Sequence, residues 1–394
     1  MTDRRRWLIV SSLSLGVCIS NGFARFAYGL ILPAMREDLS WSYAEAGWIN
    51  TANALGYIFG AITAFAFIQK LSASRMFSVG LFATSAFLLF SGLTEDFWML
   101  TLWRVLAGIA GAPVFIAGGA LVAAMFPDEP GKNALAIAAY FGGGGLGMIL
   151  SGATLPTLFE YQGAGAWPMS WIALGSASLL ACPLSIWAAM NVHLPTSAAA
   201  GASALPAREM MAALLGYGLF AAGYIVYLTF IGAWMNALPA DFLLVSFVWI
   251  TIAIAIIASP FVWRGLLARF ASGIPLALAT GVVAIGTVLP VFWTGHLGLF
   301  LSAAVFGLAV FIGPGAVTSF SKKNLPQQMW AKSVSLFTLI FAVGQTLGPV
   351  AAGWLIDTTG EVKHSLLAAG AILATGAAAA ATQRPIATNK KPRP

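Results

Sequence analysis

Charge is what this chain has least of. Among 394 residues there are 20 Lys or Arg and 13 Asp or Glu, 8% in all, where a soluble globular domain carries about 25%. A soluble chain this long must solvate a large surface, so a soluble enzyme, a coiled coil and a disordered chain are excluded. Cysteine is nearly absent. Cys18 and Cys182 both sit in apolar runs, which leaves no disulfide framework. Histidine is limited to His193, His296 and His364, all at loops or span ends. No HExxH, no Gly-x-Ser-x-Gly elbow and no ATP-binding loop occurs. An intramembrane enzyme, a metal site and direct ATP drive therefore lack the residues to carry them, and no cofactor is expected. No loop is long enough for the added soluble domain of a non-transporting membrane sensor.

What is abundant is apolar surface: 59% of residues are hydrophobic and the mean hydropathy is +0.87. Apolar stretches run unbroken for about 20 residues, enough for a helix to cross a bilayer. Barrel strands would alternate apolar and polar residues instead. Twelve helical spans are predicted, at 8–34, 45–68, 76–93, 98–126, 134–158, 168–190, 211–235, 242–263, 272–293, 297–320, 332–356 and 364–382. Arg4, Arg5 and Arg6 before the first apolar run resemble the start of a signal peptide. The run continues past Arg25 to Pro33, too long for a signal-peptide core, so an uncleaved first span is expected.

Basic residues set the expected orientation. With the N-terminus in the cytoplasm, 16 of the 20 Lys and Arg fall on that side, among them Lys70, Lys390, Lys391 and Arg393. Arg36 and Lys363 fall outside, and Arg25 and Arg104 lie within spans. Both termini are then cytoplasmic. The net charge of +7 is accounted for by topology, without a nucleic-acid partner.

The longest polar stretch between spans, 191–208, divides the chain into a bundle at 1–190 and a bundle at 209–382, followed by a tail at 383–394. The two bundles echo each other. Gly143-x-x-Leu146-Gly147-x-x-x-x-Gly152 in span five recurs as Gly344-x-x-Leu347-Gly348-x-x-x-x-Gly353 in span eleven. Val114-Phe115-Ile116-x-x-Gly119-Ala120 recurs as Val310-Phe311-Ile312-x-x-Gly315-Ala316. Such a six-plus-six repeat is the architecture of transporters with a substrate site between two halves.

Several stretches carry a family resemblance. Arg104-x-x-x-Gly108-x-x-Gly111 in span four resembles the intramembrane Arg motif of the major facilitator superfamily. The glycine spacing of span five resembles the fifth-helix motif of exporters there, without its usual proline; Gly348-Pro349 in span eleven has one. Asn21 through Met35, Ala52 through Tyr57, Gly216-Tyr217-Gly218 and Gly344-Gln345-x-Leu347-Gly348-Pro349 resemble the YbfB/YjiJ-type branch. The loop Gln69 to Arg75 departs from the superfamily pattern, because it lacks the aspartate of the loop motif. The resemblance implies an all-α membrane protein of twelve transmembrane helices in two six-helix bundles. It implies a secondary transporter of a small-molecule substrate, working by alternating access in the bacterial inner membrane. The expected partners are that substrate and the lipid bilayer, with a coupling ion left open, and the expected state is a monomer.

A charge within a span is a functional hypothesis by default, because burying it is costly. Arg25 lies about 13 Å deep and Arg104 about 10 Å deep at 1.5 Å per residue, so two guanidinium groups are expected near one cavity. Asn21, Arg25 and Tyr28 share one face of span one at i, i+4, i+7 spacing. Asn50, Asn53 and Tyr57 do the same on span two. Tyr224 and Tyr227 of span seven and Gln345 of span eleven complete the substrate candidates. Gly108, Gly111, Gly147, Gly152, Gly348, Pro349 and Gly353 are the packing or hinge candidates. All 13 acidic residues fall in tails, loops or span ends. Two Arg without an interior acid suit an organic anion, which a guanidinium can grip bidentately. An exporter of amphipathic compounds is the alternative. Structural roles stay open for each candidate: Arg25 as a gate to Glu37, Asp38 or Glu45, or snorkelling to the interface, and the Asn and Tyr residues as interhelical hydrogen bonds.

Overall fold

A computed structural model describes residues 1–67, 71–192, 205–238, 240–326 and 329–386. Lys70, His193, Lys390, Lys391 and Arg393, with most of the 191–208 stretch and of the tail, lie outside the described residues. Twelve long helices account for almost all of the rest: α1 (Asp3–Asp38), α2 (Tyr43–Phe67), α3 (Ala73–Ser91), α4 (Phe97–Ala123), α5 (Pro130–Gln162), α6 (Trp167–Met190), α7 (Met211–Asn236), α8 (Phe242–Arg269), α9 (Ile274–Phe292), α10 (His296–Asn324), α11 (Trp330–Thr359) and α12 (Val362–Ala381). Eleven are long and apolar enough to cross a membrane. The other, α2, has the length at 25 residues, and its first half carries Glu45, Asn50, Thr51 and Asn53.

Polar side chains start several helices. Ser72, Asp96 and Asp241 each accept a bond from the backbone N–H three residues on, at Arg75, Met99 and Leu244, which satisfies a donor the first turn leaves open. Once inside the apolar span, every backbone group must be satisfied within the helix, and continuous helix is what does so.

The helices form two six-helix bundles with matching internal packing. In the first, α1 packs on α5 and α6, α2 on α4, and α3 on α4 and α6. In the second, α7 packs on α11 and α12, α8 on α10, and α9 on α10 and α12. Between the bundles, α2 packs on α11, α5 on α8, and α1 on α7. Asp3 meets Lys132, Arg5 meets Asn191 and Gln383 meets Glu209, so both chain ends share one end of the molecule. This is called the termini end below, and the opposite end the far end.

The repeated glycine motifs make these interfaces. A Cβ at Gly143 would overlap the Ser14 carbonyl, and one at Gly147 would lie 2.6 Å from the Cys18 carbonyl oxygen, so α5 lies directly on α1. Gly344 and Gly348 stand in the same relation to Gly218 and Ala222 of α7. The third glycine of each motif faces the opposite bundle instead. Gly152 meets Trp249 of α8, and Gly353 meets the backbone of Tyr43 in α2. Pro349 also meets α2, through its carbonyl against Gly47. As a proline it cannot donate to the carbonyl four residues back, which belongs to Gln345.

Within the first bundle, Gly108 lets α4 touch α2 at the Asn53 carbonyl, where an added Cβ would overlap. Gly111 is different, because its nearest neighbour would be the Ser20 Cβ at an ordinary 3.5 Å. Gly108→Val should therefore destabilise by about 1–3 kcal/mol through overpacking, while Gly111→Ala should be nearly silent. Thermal unfolding of both variants in detergent checks the pair; equal melting temperatures would contradict the packing described.

Candidate functional site

The middle of α1 does not wind as an α-helix. Residues Cys18–Phe26 are π-helical, and the Ala27 N–H closes on the Gly22 carbonyl five residues back at 2.9 Å. Gly22 sits at the centre of this stretch against Gly147 of α5. The wider winding breaks the i, i+4, i+7 alignment expected of an ordinary helix. Asn21, Arg25 and Tyr28 consequently meet three different sets of neighbours.

Arg25 points across the seam between the bundles. It is 6% exposed. Its Nη2 donates to Gln345 Oε1 of α11 and, at 3.4 Å, to the Tyr224 hydroxyl of α7. The guanidinium lies 5.5 Å from the Tyr57 ring centroid of α2, within cation–π range. Tyr224 also donates to Gln345 Oε1 at 3.4 Å. Four of the substrate candidates, Arg25, Tyr57, Tyr224 and Gln345, thus meet at one point, two from each bundle. Gln345 Nε2 is buried there with no hydrogen-bond partner. An aromatic shelf runs on from Tyr224: it stacks on Phe220 at 5.2 Å and Phe341 at 5.6 Å, and Tyr217 stacks on Phe341 at 5.1 Å.

Arg104 is held elsewhere. It is 1% exposed and sits within the first bundle. Its Nη2 donates to the Ala24 carbonyl at 2.5 Å, and its guanidinium faces Trp171 at 4.7 Å and Tyr28 at 5.6 Å. Its Nε and Nη1 are buried without partners. Tyr28 donates to the Ala46 carbonyl at 2.6 Å, Asn53 donates to the Arg104 carbonyl at 3.1 Å, and Asn21 accepts from Ser20 at 3.1 Å. All of these bonds stay inside the first bundle. Tyr227 bonds Ser302 at 2.7 Å and stacks on Phe306 at 4.0 Å, inside the second.

None of the recorded partners of either Arg is acidic. Glu45 accepts from Ser42, Asp38 accepts from the Trp167 indole at 2.8 Å, and Asp357 binds backbone. The ion pairs among the described residues lie at helix ends, linking Asp3, Arg6, Glu129 and Lys132, and Glu361 with Lys363. The bond from Lys363 holds the Glu361 carboxyl below its ordinary value. No group of three metal-ligating side chains occurs among the described residues.

At the far end the bundles are joined by bonds that composition and spacing alone do not reveal. Both oxygens of Asp357, near the end of α11, accept from the N–H groups of Tyr43 and Ala44 at 2.8 Å each. Asn50 donates to Thr229 at 2.6 Å, and Thr51 to the Thr346 carbonyl at 2.8 Å. These contacts follow α2 and α11 inward from the far end until they reach Arg25 and Gln345. Asp357 did carry one signal in the sequence. An acid in the last helical turn opposes the helix dipole, so it calls for a compensating partner.

The family model described as "Uncharacterised MFS-type transporter YbfB" matches residues 17–381. The chain is 29% identical over 221 residues to a gallate transporter of Pseudomonas putida, covering 55% of this chain and 46% of that one. It is 28% identical over 170 residues to the puromycin resistance protein pur8 of Streptomyces alboniger, covering 41% and 32%. The chain spans less than half the length of each of these relatives. The nucleoside transporter NupG shares the fold, at TM-score 0.74 and 14% identity over 96% of this chain and 98% of that one. So does a bacterial homologue of the human lysosomal transporter Spinster in an inward-facing, occupied conformation, at 0.73 and 16% over 97% of each.

Replacing Asp357 by Asn should weaken the far-end closure by about 1–2 kcal/mol, the worth of a charged helix cap, or roughly 5- to 30-fold in the closed fraction. A cysteine introduced at Ala44 reports this through its rate of maleimide labelling. Unchanged labelling in the Asn variant would show that Asp357 does not hold the closure.

Proposed function

The chain belongs to the family described as the uncharacterised MFS-type transporter YbfB, and on that premise we propose that it carries a small organic anion across the bacterial inner membrane by alternating access around Arg25. The single observation behind the anion is that Arg25 is buried at the seam and bonded only to neutral groups. A guanidinium stays protonated in a protein, and an unpaired interior charge is costly. A carboxylate entering the seam would supply the missing negative charge, with Gln345 Nε2 free to donate to it from the other bundle.

The aromatic shelf of Tyr217, Phe220, Tyr224 and Phe341 favours an anion attached to a flat ring. Gallate, an aromatic carboxylate, has this form. The moving bodies in this reading are residues 1–190 and 209–382, with 191–208 as the connection, rocking about the common site. Arg104 acts as the electrostatic clamp of the first bundle, holding the π-helical backbone of α1 through Ala24. The basic residues at the termini end support a cytoplasmic position for that end, and in this reading the far end faces outward.

The same aromatic shelf supports a second reading, export of amphipathic compounds. Arg25 separates the two. For an anion, Arg25→Met should cost about 2–5 kcal/mol of binding, the usual loss when one partner of a buried charged pair is removed, which is roughly thirtyfold or more in Kd. Arg25→Lys should lose less, since the charge remains and the fork does not. Tryptophan-fluorescence titration with gallate, benzoate and succinate reads the affinities. Transport of an uncharged compound at full rate by Arg25→Met would select the exporter.

Orientation is tested with Glu95→Cys, in the far-end turn between α3 and α4, and Arg208→Cys at the termini end. An impermeant maleimide should label the first in intact cells and the second only after permeabilisation. The reverse pattern would invert the topology.

A further inference from the structure

We infer that the transporter is an obligatory exchanger, in which an anion moving one way must be matched by an anion moving the other. This rests on the proposed anion site at Arg25 and concerns the part of the cycle in which that site is empty.

Rocking the bundles separates α1 from α7 and α11. Every hydrogen bond recorded for the Arg25 side chain crosses that boundary, to Tyr224 and Gln345. An empty carrier must therefore pass through a closed intermediate in which the guanidinium has lost both acceptors. A side-chain carboxylate beside Arg25 would carry the charge through that point. The protein has none: all thirteen acids, Asp3, Glu37, Asp38, Glu45, Glu95, Asp96, Asp128, Glu129, Glu160, Glu209, Asp241, Asp357 and Glu361, lie in helix ends or turns. A proton cannot stand in either. His296 and His364 sit at the starts of α10 and α12, and His193 falls outside the described residues, in the stretch joining the bundles.

A bound anion removes the obstacle. It remains with Arg25 as the bundles part and makes the site neutral. It also gives the buried, unpartnered Gln345 Nε2 an acceptor. The loaded carrier then crosses with its charge paired, and the empty one crosses with a guanidinium that keeps only the Tyr57 ring of its own bundle. From the usual penalty for an unpaired buried charge, the empty crossing should be about a hundredfold slower or more. Exchange of anions of equal charge is electroneutral, so a membrane potential does not drive it. Among the described residues no carboxylate or imidazole stands at the site, so a proton gradient does not drive it either.

The test uses the full chain reconstituted in liposomes, with labelled gallate, benzoate and succinate as probes in turn. Each probe is offered to vesicles preloaded with the same unlabelled anion and to vesicles holding a large impermeant anion only. Preloaded vesicles should take up label about a hundredfold faster, and an imposed potential or pH gradient should leave that rate unchanged. Comparable uptake into unloaded vesicles, or accumulation driven by a proton gradient, would overturn the inference while leaving the anion site intact. Failure of all three probes to bind the purified protein or enter either vesicle set would overturn the anion site, and exchange with it.

Discussion

A guanidinium buried at the seam of two helical bundles has to be supplied with electron density from somewhere. In this protein the supply for Arg25 comes from an amide oxygen, a phenol oxygen and an aromatic face, all of them neutral. Their dipoles engage the guanidinium without cancelling the charge. That imbalance sets what the rest of the molecule can do. It ties the two bundles together when nothing is bound, and it makes the seam electrostatically receptive to a solute of opposite sign.

The remaining architecture leaves the seam as the place where motion is possible. Inside each bundle the helices approach to backbone distance over glycine, at Gly143 and Gly147 in one and at Gly344 and Gly348 in the other. Contacts of this kind are short-range and intolerant of change, which favours each bundle moving as a unit in the proposed rocking. Between the bundles, close glycine packing at Gly152 on Trp249 and Gly353 on Tyr43 is joined by single hydrogen bonds and one capped helix end, and the latter can be exchanged for water or solute at small cost. Arg104 sits on the rigid side of this division, its charge spread over Trp171 and Tyr28 within one bundle.

Much of this could be read from residues alone. Apolar runs marked the spans, and the duplicated glycine motifs anticipated the matched packing of α5 and α11. Arg25, Tyr57, Tyr224 and Gln345 could be picked out because polar groups in apolar helices stand out. What could not be read was their grouping. Helical spacing put Asn21, Arg25 and Tyr28 on one face, and the π-helical winding of Cys18–Phe26 separates them. Similar depth suggested that Arg25 and Arg104 would face one cavity, yet depth says nothing about rotation around a helix axis. Asp357 looked like an ordinary span-end acid, because its partners are backbone N–H groups on a helix remote in sequence, and backbone donors leave no mark in composition.

The π-helical stretch also bears on symmetry. The two bundles repeat each other's packing helix for helix, yet α7, the counterpart of α1, is α-helical from Met211 to Asn236. Arg25 on one of two equivalent helices and Tyr224 on the other make the halves chemically unlike: one presents a cation to the seam, the other presents tyrosine and an aromatic shelf. A solute lying between them would meet a polar wall and a flat apolar one, and could fit in a single orientation. The duplicated fold supplies a symmetric hinge, and the departure in α1 would give the passage a handedness, so that a molecule would travel with the same end always leading on one face.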